Sequence, residues 1–354
     1  MTEKKFGDKK IRVPERIDVD FPYVVLADFE HVFGRFEGII GDSKVDDFER
    51  RVAKILAEVS PDFTNTVNLK VKNVIDEVEK RIDRERKSGG RVGFIQLDRY
   101  IDGSDGEDCF RLEVSRGVSG GLVSRPGCEL SVDDQFEAMA EWVVAGNYDR
   151  LLVVDDVLAF GDTLTPMLNG FKELIPKTKL KVLVGLAASG GGWKGLERVK
   201  EETGVDVEAV IVVKAGEENE WTSGMAMPAL RDFTFLGGKI SVDEVTGRRQ
   251  NFPYFLPFSA PVISFMPKER RFEAGLKMIN ISIDVVEEMN KSLGRDLTIK
   301  DLQDAGFGIP SIKLACLQEV KWVPEEEDSV WEYLQYCKYL MTIYSGELKA
   351  EALK

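Results

Sequence analysis

The sequence contains few of the residues that most metal sites and nucleophilic sites require. Its 354 residues include one histidine, His31, and four cysteines, none of which form a C-x-x-C pair. This scarcity excludes histidine-rich zinc sites and the usual spacings of structural zinc sites. Isolated cysteines are typical of the reduced thiols of a cytoplasmic protein, so we expect that location. A lone histidine is more often a packed or surface residue than a catalytic base.

Long apolar runs and blocks of positive charge are also missing. No stretch approaches the roughly 18 apolar residues that cross a membrane, and no apolar segment follows the lysines near Met1, so we expect neither a membrane partner nor a signal peptide. The net charge of -14 comes from 48 basic and 62 acidic residues. A field of that sign repels nucleic acid unless a local basic patch overrides it, and the sequence has no such block of Lys or Arg.

Hydrophobic patterning divides the chain into three regions. Residues 1–90 carry amphipathic helical stripes that stop at Ser88-Gly89-Gly90, and they are predicted to form an N-terminal helical cap region. Residues 91–236 alternate strand-like runs with amphipathic helices and are predicted to form the core domain. Residues 237–354 begin with a connection rich in proline and aromatic residues at 251–267, which is followed by an α-rich segment.

The middle region has the pattern of a parallel sheet. Apolar runs predict strands at 92–97, 110–114, 151–154, 181–186 and 207–213. The runs at 151–154 and 210–213 are continuous rather than alternating, which is typical of strands that are buried on both faces. Amphipathic helices are predicted at 164–175 and in the segment that ends at Gly204. We therefore predict an α/β fold in which helices cover both faces of a parallel sheet.

The most informative segment joins a buried strand to a helix through an acidic, glycine-containing loop. Asp155 and Asp156 follow the apolar run, and a loop with Gly161 and Thr163 leads into the helix. Ligands of an open parallel sheet bind outside the carboxyl ends of its strands, where loop amides and a helix N-terminus favour anions. The two carboxylates can accept hydrogen bonds from vicinal sugar hydroxyls or hold a metal-bound water shell. This one segment can therefore bind a phosphate and a ribose.

That segment resembles the fingerprint of the type I phosphoribosyltransferases, which bind phosphoribosyl pyrophosphate (PRPP). In that family, apolar residues and two acidic residues precede a small Gly/Thr loop that holds the 5-phosphate. Residues 153–159 follow this pattern, and Gly161 and Thr163 are in register with it. The resemblance covers about residues 91–213 and implies a phosphoribosyltransferase-like core.

The resemblance also implies roles for the residues. Asp155 and Asp156 would hold the ribose hydroxyls, and they would hold Mg²⁺ through water or through PRPP. The residues implied in binding the phosphate are Ala159, Phe160, Gly161, Asp162, Thr163 and Leu164. The implied activity is transfer of the phosphoribosyl group to a nitrogen of a base-like acceptor, with Mg²⁺ as the cofactor. Members of the family typically pair their subunits, which implies a homodimer by analogy.

The diphosphate of PRPP requires a second loop upstream, for which the sequence offers two candidates. Ser115-Arg116-Gly117 resembles the Arg-Gly turn of the adenine branch, and Arg116 would stabilise the leaving diphosphate through its planar fork. Leu97-Asp98-Arg99, at the end of the previous strand, is the competitor, and we favour 115–117. The segment 120–133, which contains Arg125, is the only room for the mobile loop that closes over PRPP in the family.

Three positions differ from the family's pattern. Phe160 stands where a small or hydroxyl residue is usual, and Asp162 stands where a non-acidic residue is usual. A carboxylate beside a bound phosphate is unfavourable unless it points away or meets a cation. Ala159 occupies the place of the general-base aspartate of the purine-salvage members. The alternative hypothesis is therefore a non-catalytic module that senses PRPP or a nucleotide, or that serves as a scaffold on the same fold.

A second glycine pattern, Gly190-x-Gly192-x-x-Gly195, follows a strand and opens a helix, which is formally a dinucleotide fingerprint. It lies after a late strand rather than in the first βα turn, and we interpret it as a flexible turn. By analogy with the family, Trp193 or Lys194 in this turn would approach the acceptor base.

Overall fold

The computed structural model describes residues 2–6, 9–13, 17–19, 23–36, 40–59, 66–101, 108–118, 120–189, 195–214, 225–227, 229–243, 247–253, 268–311 and 322–352. The strands in these ranges are β1 (Thr2–Phe6), β2 (Lys9–Val13), β3 (Ile17–Val19), β4 (Tyr23–Ala27), β5 (Thr66–Lys70), β6 (Val92–Gln96), β7 (Cys109–Arg111), β8 (Val114–Arg116), β9 (Leu122–Ser124), β10 (Arg150–Leu158), β11 (Lys179–Ser189), β12 (Asp206–Lys214), β13 (Met225–Met227), β14 (Lys239–Val242), β15 (Arg249–Phe252) and β16 (Ile309–Pro310). The α-helices are α1 (Phe29–Phe33), α2 (Asp42–Val59), α3 (Val71–Lys87), α4 (Val132–Gly146), α5 (Leu164–Leu174), α6 (Gly195–Thr203), α7 (Lys268–Leu293), α8 (Ile299–Asp304) and α9 (Val330–Ala352).

A six-stranded sheet forms the centre of the fold, with the strand order β3-β12-β11-β10-β6-β7. Every neighbouring pair in it is parallel. The strands β10, β11 and β12 follow one another in the chain with one helix between each pair, as repeated βαβ units require. The predicted α/β class with a parallel sheet is confirmed.

Residues of β10 contribute to both faces of this sheet. Leu151 and Val153 belong to a hydrophobic core that includes helices α4, α5 and α6. Leu152 and Val154 belong to a second core, which includes α3. A strand between two helical layers needs an apolar residue at each position, which explains the continuous apolar run in the sequence. The expectation of helices on both faces is also confirmed.

A third core joins helices from distant parts of the chain. Helix α2 packs on α7, and α7 packs on α9. Buried members of this core include Phe48 of α2, Val286 of α7 and Leu334 of α9. Helix α3, by contrast, packs on the sheet, so the helices of residues 1–90 are shared between two cores. The domain boundaries at 90 and 236 stay a prediction.

The strand predicted at 110–114 is confirmed only in part, because the chain leaves the central sheet after Arg111. The N–H of Glu113 donates to Oε1 of Gln135 at 2.8 Å, and its carbonyl accepts from the N–H of Arg125 at 2.7 Å. The first half of the predicted strand is β7 at the sheet edge. Residues 112–113 belong to no strand, and Val114 begins β8, which pairs with β9 as an antiparallel hairpin.

Helix α4 lies where no helix was predicted. The hydroxyl of Ser131 accepts a hydrogen bond from the N–H of Asp134 at 3.1 Å, and the Asp134 carboxylate accepts from the N–H of Ser131 at 3.3 Å. This capping box fixes the start of the helix. The segment 120–133, which was expected to hold a mobile loop, therefore contains β9 and the first turn of α4.

Some predicted features cannot be placed. Residues 190–194, with Gly190, Gly192, Trp193 and Lys194, lie outside the described residues, as does the greater part of the proline-rich connection, 254–267. Helix α6 begins at Gly195, as the glycine turn predicts. Within the described ranges, no helix is long and apolar enough to span a membrane.

Candidate functional site

One pocket at the carboxyl end of β10 contains most of the predicted site residues. It has a volume of about 200 Å³, and Asp155, Asp156 and Leu164 line it together with the loop 159–163. The strand continues to Leu158, well beyond its predicted end, because β11 continues alongside it. The two aspartates therefore lie within the last part of the strand rather than after it.

Backbone amides hold one oxygen of each carboxylate. The N–H of Asp156 donates to Oδ1 of Asp155 at 3.0 Å, and the N–H of Val157 donates to Oδ1 of Asp156 at 2.7 Å. A side-chain hydrogen bond also connects the Asp155 and Asp156 carboxyl groups. Both side chains thus have a fixed orientation and an oxygen that can accept a hydrogen bond from a ligand hydroxyl.

Electrostatic crowding characterises this end of the sheet. Burial raises the pKa of Asp155 to about 7, and the neighbouring Asp98 carboxylate contributes to the rise. Burial also raises the pKa of Asp156 well above its ordinary value, with further contributions from Asp155 and Asp98. The positive charge of Arg125 opposes both shifts. A cation or a hydrogen-bond donor placed here would favour the ionised carboxylates.

Asp98 supplies a test of whether these residues fit Mg²⁺. Its side chain is buried, and its Oδ2 atom has no hydrogen-bond partner. Burial raises the pKa of Asp98 to about 6. An unpaired carboxylate oxygen close to two further carboxylates fits a hydrated cation. No group of three His, Cys, Asp or Glu side chains within the described ranges is arranged as a direct ligand set, so the fit is through the water shell that Mg²⁺ usually retains.

The loop after β10 needs a glycine at its centre. Gly161 has a φ of +83°, and a Cβ at this position would lie 2.6 Å from Cγ2 of Val199. Its carbonyl accepts a hydrogen bond from the N–H of Thr165 at 2.9 Å, within the first turn of α5. The loop amides thereby precede the N-terminus of α5, whose partial positive charge favours anions.

Asp162, the unusual acidic residue of this loop, meets two cations. Its carboxylate accepts a hydrogen bond from Nη1 of Arg116 at 2.8 Å and another from Nη1 of Arg198 at 2.7 Å. The same Arg198 atom also lies 3.2 Å from the carbonyl of Phe160, to which it donates. The two arginines compensate the charge of Asp162 and fix the loop to the hairpin and to α6.

The favoured upstream candidate reaches the pocket in part. Ser115 and Arg116 line it, whereas Gly117 does not. The N–H of Gly117 instead donates to the carbonyl of Gly121 at 3.1 Å and closes the turn between β8 and β9. The guanidinium of Arg116 is engaged by Asp162, so it lies beside the phosphate-type loop.

The competing candidate, 97–99, lies directly beside β10 in the sheet, but its arginine side chain does not line the pocket. Leu97-Asp98-Arg99 follows β6, the direct neighbour of β10. The side chain of Arg99 is nearly buried: its Nε donates to Glu113 at 2.6 Å and its Nη2 donates to the carbonyl of Pro126 at 2.7 Å. Asp98 is therefore close to the predicted ribose site, while the Arg99 guanidinium holds loops together.

The sequence reasoning missed Arg231, and it named Asp98 and Arg125 only as members of candidate loops. Arg125 and Arg231 line the pocket, and Asp98 lies close to its carboxylates. The position of Asp98 near Asp155 could have been predicted, because both residues follow predicted strands and parallel strands end at the same edge of a sheet. The position of Arg231 could not, since this residue lies in a short 3₁₀ turn at 230–233 after the last strand of the sheet.

Comparison with known proteins gives one partial similarity. No protein-family model matches the chain. A hypoxanthine/guanine phosphoribosyltransferase from Methanopyrus kandleri is 39% identical over 70 residues. The match spans 20% of this chain and 34% of that relative, so the chain matches about a third of the relative's length. This similarity supports a relationship to phosphoribosyltransferases over a short segment.

Proposed function

We propose that the protein binds PRPP with Mg²⁺ and transfers its phosphoribosyl group to a nitrogen of a base-like acceptor. The observation that carries the proposal is the presence of the Asp155-Asp156 pair and the Gly161 loop in one pocket. The partial similarity to a phosphoribosyltransferase supports the same chemistry.

Each side of the pocket has a role in this proposal. The carboxylate oxygens of Asp155 and Asp156 accept hydrogen bonds from the ribose hydroxyls. The amides of the loop at 160–163 bind the 5-phosphate at the start of α5. Bound Mg²⁺, held through water near these carboxylates, would neutralise charge on the diphosphate.

The transfer breaks the bond between C1 of the ribose and the diphosphate oxygen, and it forms a bond from C1 to the acceptor nitrogen. The diphosphate leaves with the electron pair, and Arg116 stabilises its negative charge. The ribose passes through an oxocarbenium-like state. Ala159 cannot act as a base, so the proton of the acceptor nitrogen passes to another group, such as water, a pocket carboxylate or the departing diphosphate.

A second candidate function is a PRPP-binding module without transferase activity. The hydrogen bonds from Arg116 and Arg198 to Asp162 favour it, because the loop carboxylate already engages cations that a phosphate or diphosphate would use. On this hypothesis the site binds PRPP or a nucleotide and releases no pyrophosphate. The homodimer implied by the family resemblance stays a prediction under both hypotheses.

Calorimetry with PRPP, followed by an assay of pyrophosphate release with a panel of nucleobases, tests both candidates. Wild-type protein should bind PRPP in the presence of Mg²⁺, and the double variant Asp155→Asn/Asp156→Asn should lose that binding while it keeps its fold. The matched control is Asp206→Asn, which removes an exposed carboxylate. Release with one nucleobase identifies the enzyme, binding without release identifies the module, and equal binding by the double variant would exclude the assigned ribose site.

A further inference from the structure

We propose that Arg125 and Arg231 form a paired receptor for an oxyanion of the ligand, and that Asp28 and Tyr100 position Arg231 for this task. The inference rests on the proposed function for the identity of the pocket. It adds three residues that the sequence analysis did not single out, Asp28, Tyr100 and Arg231, and it gives Arg125 a specific role. The shared chemistry is a phosphate or carboxylate oxyanion, carried either by the diphosphate of PRPP or by the acceptor.

Arg231 presents the open edge of its guanidinium to the pocket. Its Nε lies 3.5 Å from Oδ2 of Asp28 and 3.6 Å from Oδ1 of Asp232. Within the described part of the chain, its two Nη atoms donate to no acceptor. The side chain is 20% exposed and lines the same pocket as Asp155. An arginine fork in this state can donate two parallel hydrogen bonds to an oxyanion.

Arg125 presents a second unoccupied guanidinium edge. Its Nε donates to the carbonyl of Val114 at 2.9 Å, which fixes the stem of the side chain. No described carboxylate lies within ion-pair distance of it, although it lines the pocket with Asp155 and Asp156. The positive charge of this arginine is therefore compensated only at longer range.

Further guanidinium groups lie close to these two arginines. Burial lowers the pKa of Arg35 to about 9, and Arg99, Arg231 and Arg125 lower it further. Glu113 is the carboxylate that opposes this shift. An oxyanion bound between Arg125 and Arg231 would reduce the repulsion among these guanidinium groups.

A buried carboxylate and an aromatic ring fix Arg231 from behind. Asp28 is fully buried, and its Oδ2 accepts a hydrogen bond from the Tyr100 hydroxyl at 2.6 Å. Its Oδ1 accepts from the backbone N–H of Arg231 at 3.1 Å. The guanidinium carbon of Arg231 lies 4.6 Å from the centre of the Tyr100 ring. A side chain held by stacking and by a carboxylate loses little conformational entropy when the ligand binds.

The same network connects Arg231 to the carboxylate end of the sheet. The backbone N–H of Tyr100 donates to Oδ1 of Asp98 at 2.6 Å, and Asp98 influences the pKa of Asp155. Tyr100 therefore contacts both Arg231 of the proposed receptor and Asp98 beside the proposed ribose site. We assign positioning roles to Asp28 and Tyr100, which line no part of the pocket, and a binding role to the two arginines.

Calorimetry with inorganic pyrophosphate and with benzoate, each with and without Mg²⁺, tests the receptor. Arg231→Gln and Arg125→Gln should each weaken the binding of at least one probe about tenfold or more, the usual scale for a charge-assisted bidentate contact. The matched control is Arg50→Gln, which removes an equal charge from an exposed side chain of α2. A loss confined to pyrophosphate places the diphosphate at the receptor, and a loss confined to benzoate places the acceptor there.

Positioning is tested by two further variants. Tyr100→Phe keeps the ring beneath Arg231 and should retain most of the affinity, whereas Tyr100→Leu should lose it about as strongly as Arg231→Gln. Asp28→Asn should weaken probe binding while far-UV circular dichroism stays unchanged. Equal affinities of the Phe and Leu variants would contradict the positioning role.

Wild-type protein provides a readout that does not depend on the folding of variants. Phenylglyoxal labels accessible arginines, and the bound probe should protect Arg125 and Arg231 while it leaves Arg50 unprotected. Unchanged labelling under saturating probe, or wild-type affinities retained by both Gln variants, would overturn the inference. Mg²⁺-dependent PRPP binding that survives in both Gln variants would reject the receptor and leave the proposed function intact.

Discussion

Asp162 and Arg116, which are 46 positions apart in the chain, form an ion pair of 2.8 Å at the mouth of the candidate site. The carboxylate belongs to the loop that would receive a phosphate, and the arginine belongs to the hairpin that would face a diphosphate. A ligand phosphate must therefore compete with a carboxylate of the protein for the same cation. Under the proposed function, this competition would weaken the binding of PRPP.

Replacing Asp162 should strengthen phosphate binding. At roughly 5 Å and an effective dielectric near 20, one carboxylate repels each unit of phosphate charge by about 3 kcal/mol. The Asp162→Asn variant removes this repulsion and frees Arg116 and Arg198. We expect its affinity for ribose 5-phosphate, measured by calorimetry at fixed ionic strength, to rise about tenfold or more.

The control for this experiment is Asp206→Asn, which changes the net charge equally at an exposed side chain. Its affinity for ribose 5-phosphate should equal that of the wild type. An unchanged or reduced affinity in Asp162→Asn would mean that the carboxylate organises the loop for the ligand rather than competing with it.

The buried carboxylates should make stability depend on pH. Burial raises the pKa of Asp28 to about 7, because desolvation outweighs the favourable charge of Arg231. The folded state therefore keeps a proton that the unfolded chain has released above its ordinary pKa near 4. The resulting stabilisation is fully present below about pH 4 and is lost as the pH rises through about 7.

Urea unfolding between pH 5 and 8 measures this loss. The free energy of unfolding of the wild type should decrease across this range. In Asp28→Asn this decrease should be smaller by about 1–3 kcal/mol, since a one-unit pKa shift corresponds to 1.36 kcal/mol. Asp206→Asn should retain the wild-type slope. A slope in Asp28→Asn as steep as that of the wild type would assign the pH dependence to other groups.

The sheet could be predicted because its signals are local. The continuous apolar run at 151–154 indicates a strand with helices on both faces, and β10 has that environment. Helix α4 was missed although Ser131 and Asp134 form a capping signal three residues apart. The strand predicted at 110–114 was confirmed only in part, because a hydrogen bond from Glu113 to a residue of α4 interrupts it. No local pattern contains that partner.

Most of the predicted site comes from one segment, and the family resemblance added Ser115 and Arg116 from a second one. Asp155, Asp156 and Gly161 lie on one strand and its loop, so their proximity follows from the sequence. Arg231 reaches the same pocket because Asp28, 203 positions earlier, holds its backbone N–H. A contact of that kind depends on how separate cores pack together, and neither periodicity nor composition encodes it.

Arg99 and Arg116 should behave differently when each is replaced by alanine. The Arg99 side chain is 12% exposed and bonds Glu113 and the carbonyls of Pro126 and Gly306. Its loss leaves three partly buried acceptors unpaired, so the free energy of unfolding should fall by about 2–4 kcal/mol. Arg116→Ala breaks a more exposed ion pair and should lower stability by about 1 kcal/mol or less.

Pyrophosphate binding should be affected in the opposite order, more by Arg116→Ala than by Arg99→Ala. Arg116→Ala should reduce pyrophosphate affinity and leave ribose 5-phosphate affinity nearly intact, because the arginine would contact the leaving group. Arg99→Ala, studied below its unfolding temperature, should bind pyrophosphate within about threefold of the wild type, since its guanidinium is not in the pocket. A selective loss of pyrophosphate binding in Arg99→Ala would transfer the diphosphate role to the end of β6.

Comparing Gly161→Ala with Gly89→Ala should separate the effect of a strained backbone from the effect of a displaced phosphate loop. Gly161 has a φ of +83° and Gly89, at the end of α3, has a φ of +88°. An alanine in this left-handed conformation destabilises the folded protein by about 1–2 kcal/mol at either position. Only at Gly161 would the new Cβ collide with Val199, at 2.6 Å, whereas nothing lies within 4 Å of a Cβ at Gly89.

The left-handed backbone conformation should therefore destabilise both variants by a similar amount. Their affinities for ribose 5-phosphate should differ. Gly89→Ala should lower the free energy of unfolding and leave the affinity for ribose 5-phosphate unchanged. Gly161→Ala should lower stability further and reduce that affinity at least about tenfold, because relief of the collision moves amides that bind the phosphate. If Gly161→Ala binds ribose 5-phosphate as well as Gly89→Ala does, the loop at 159–163 is not the phosphate site.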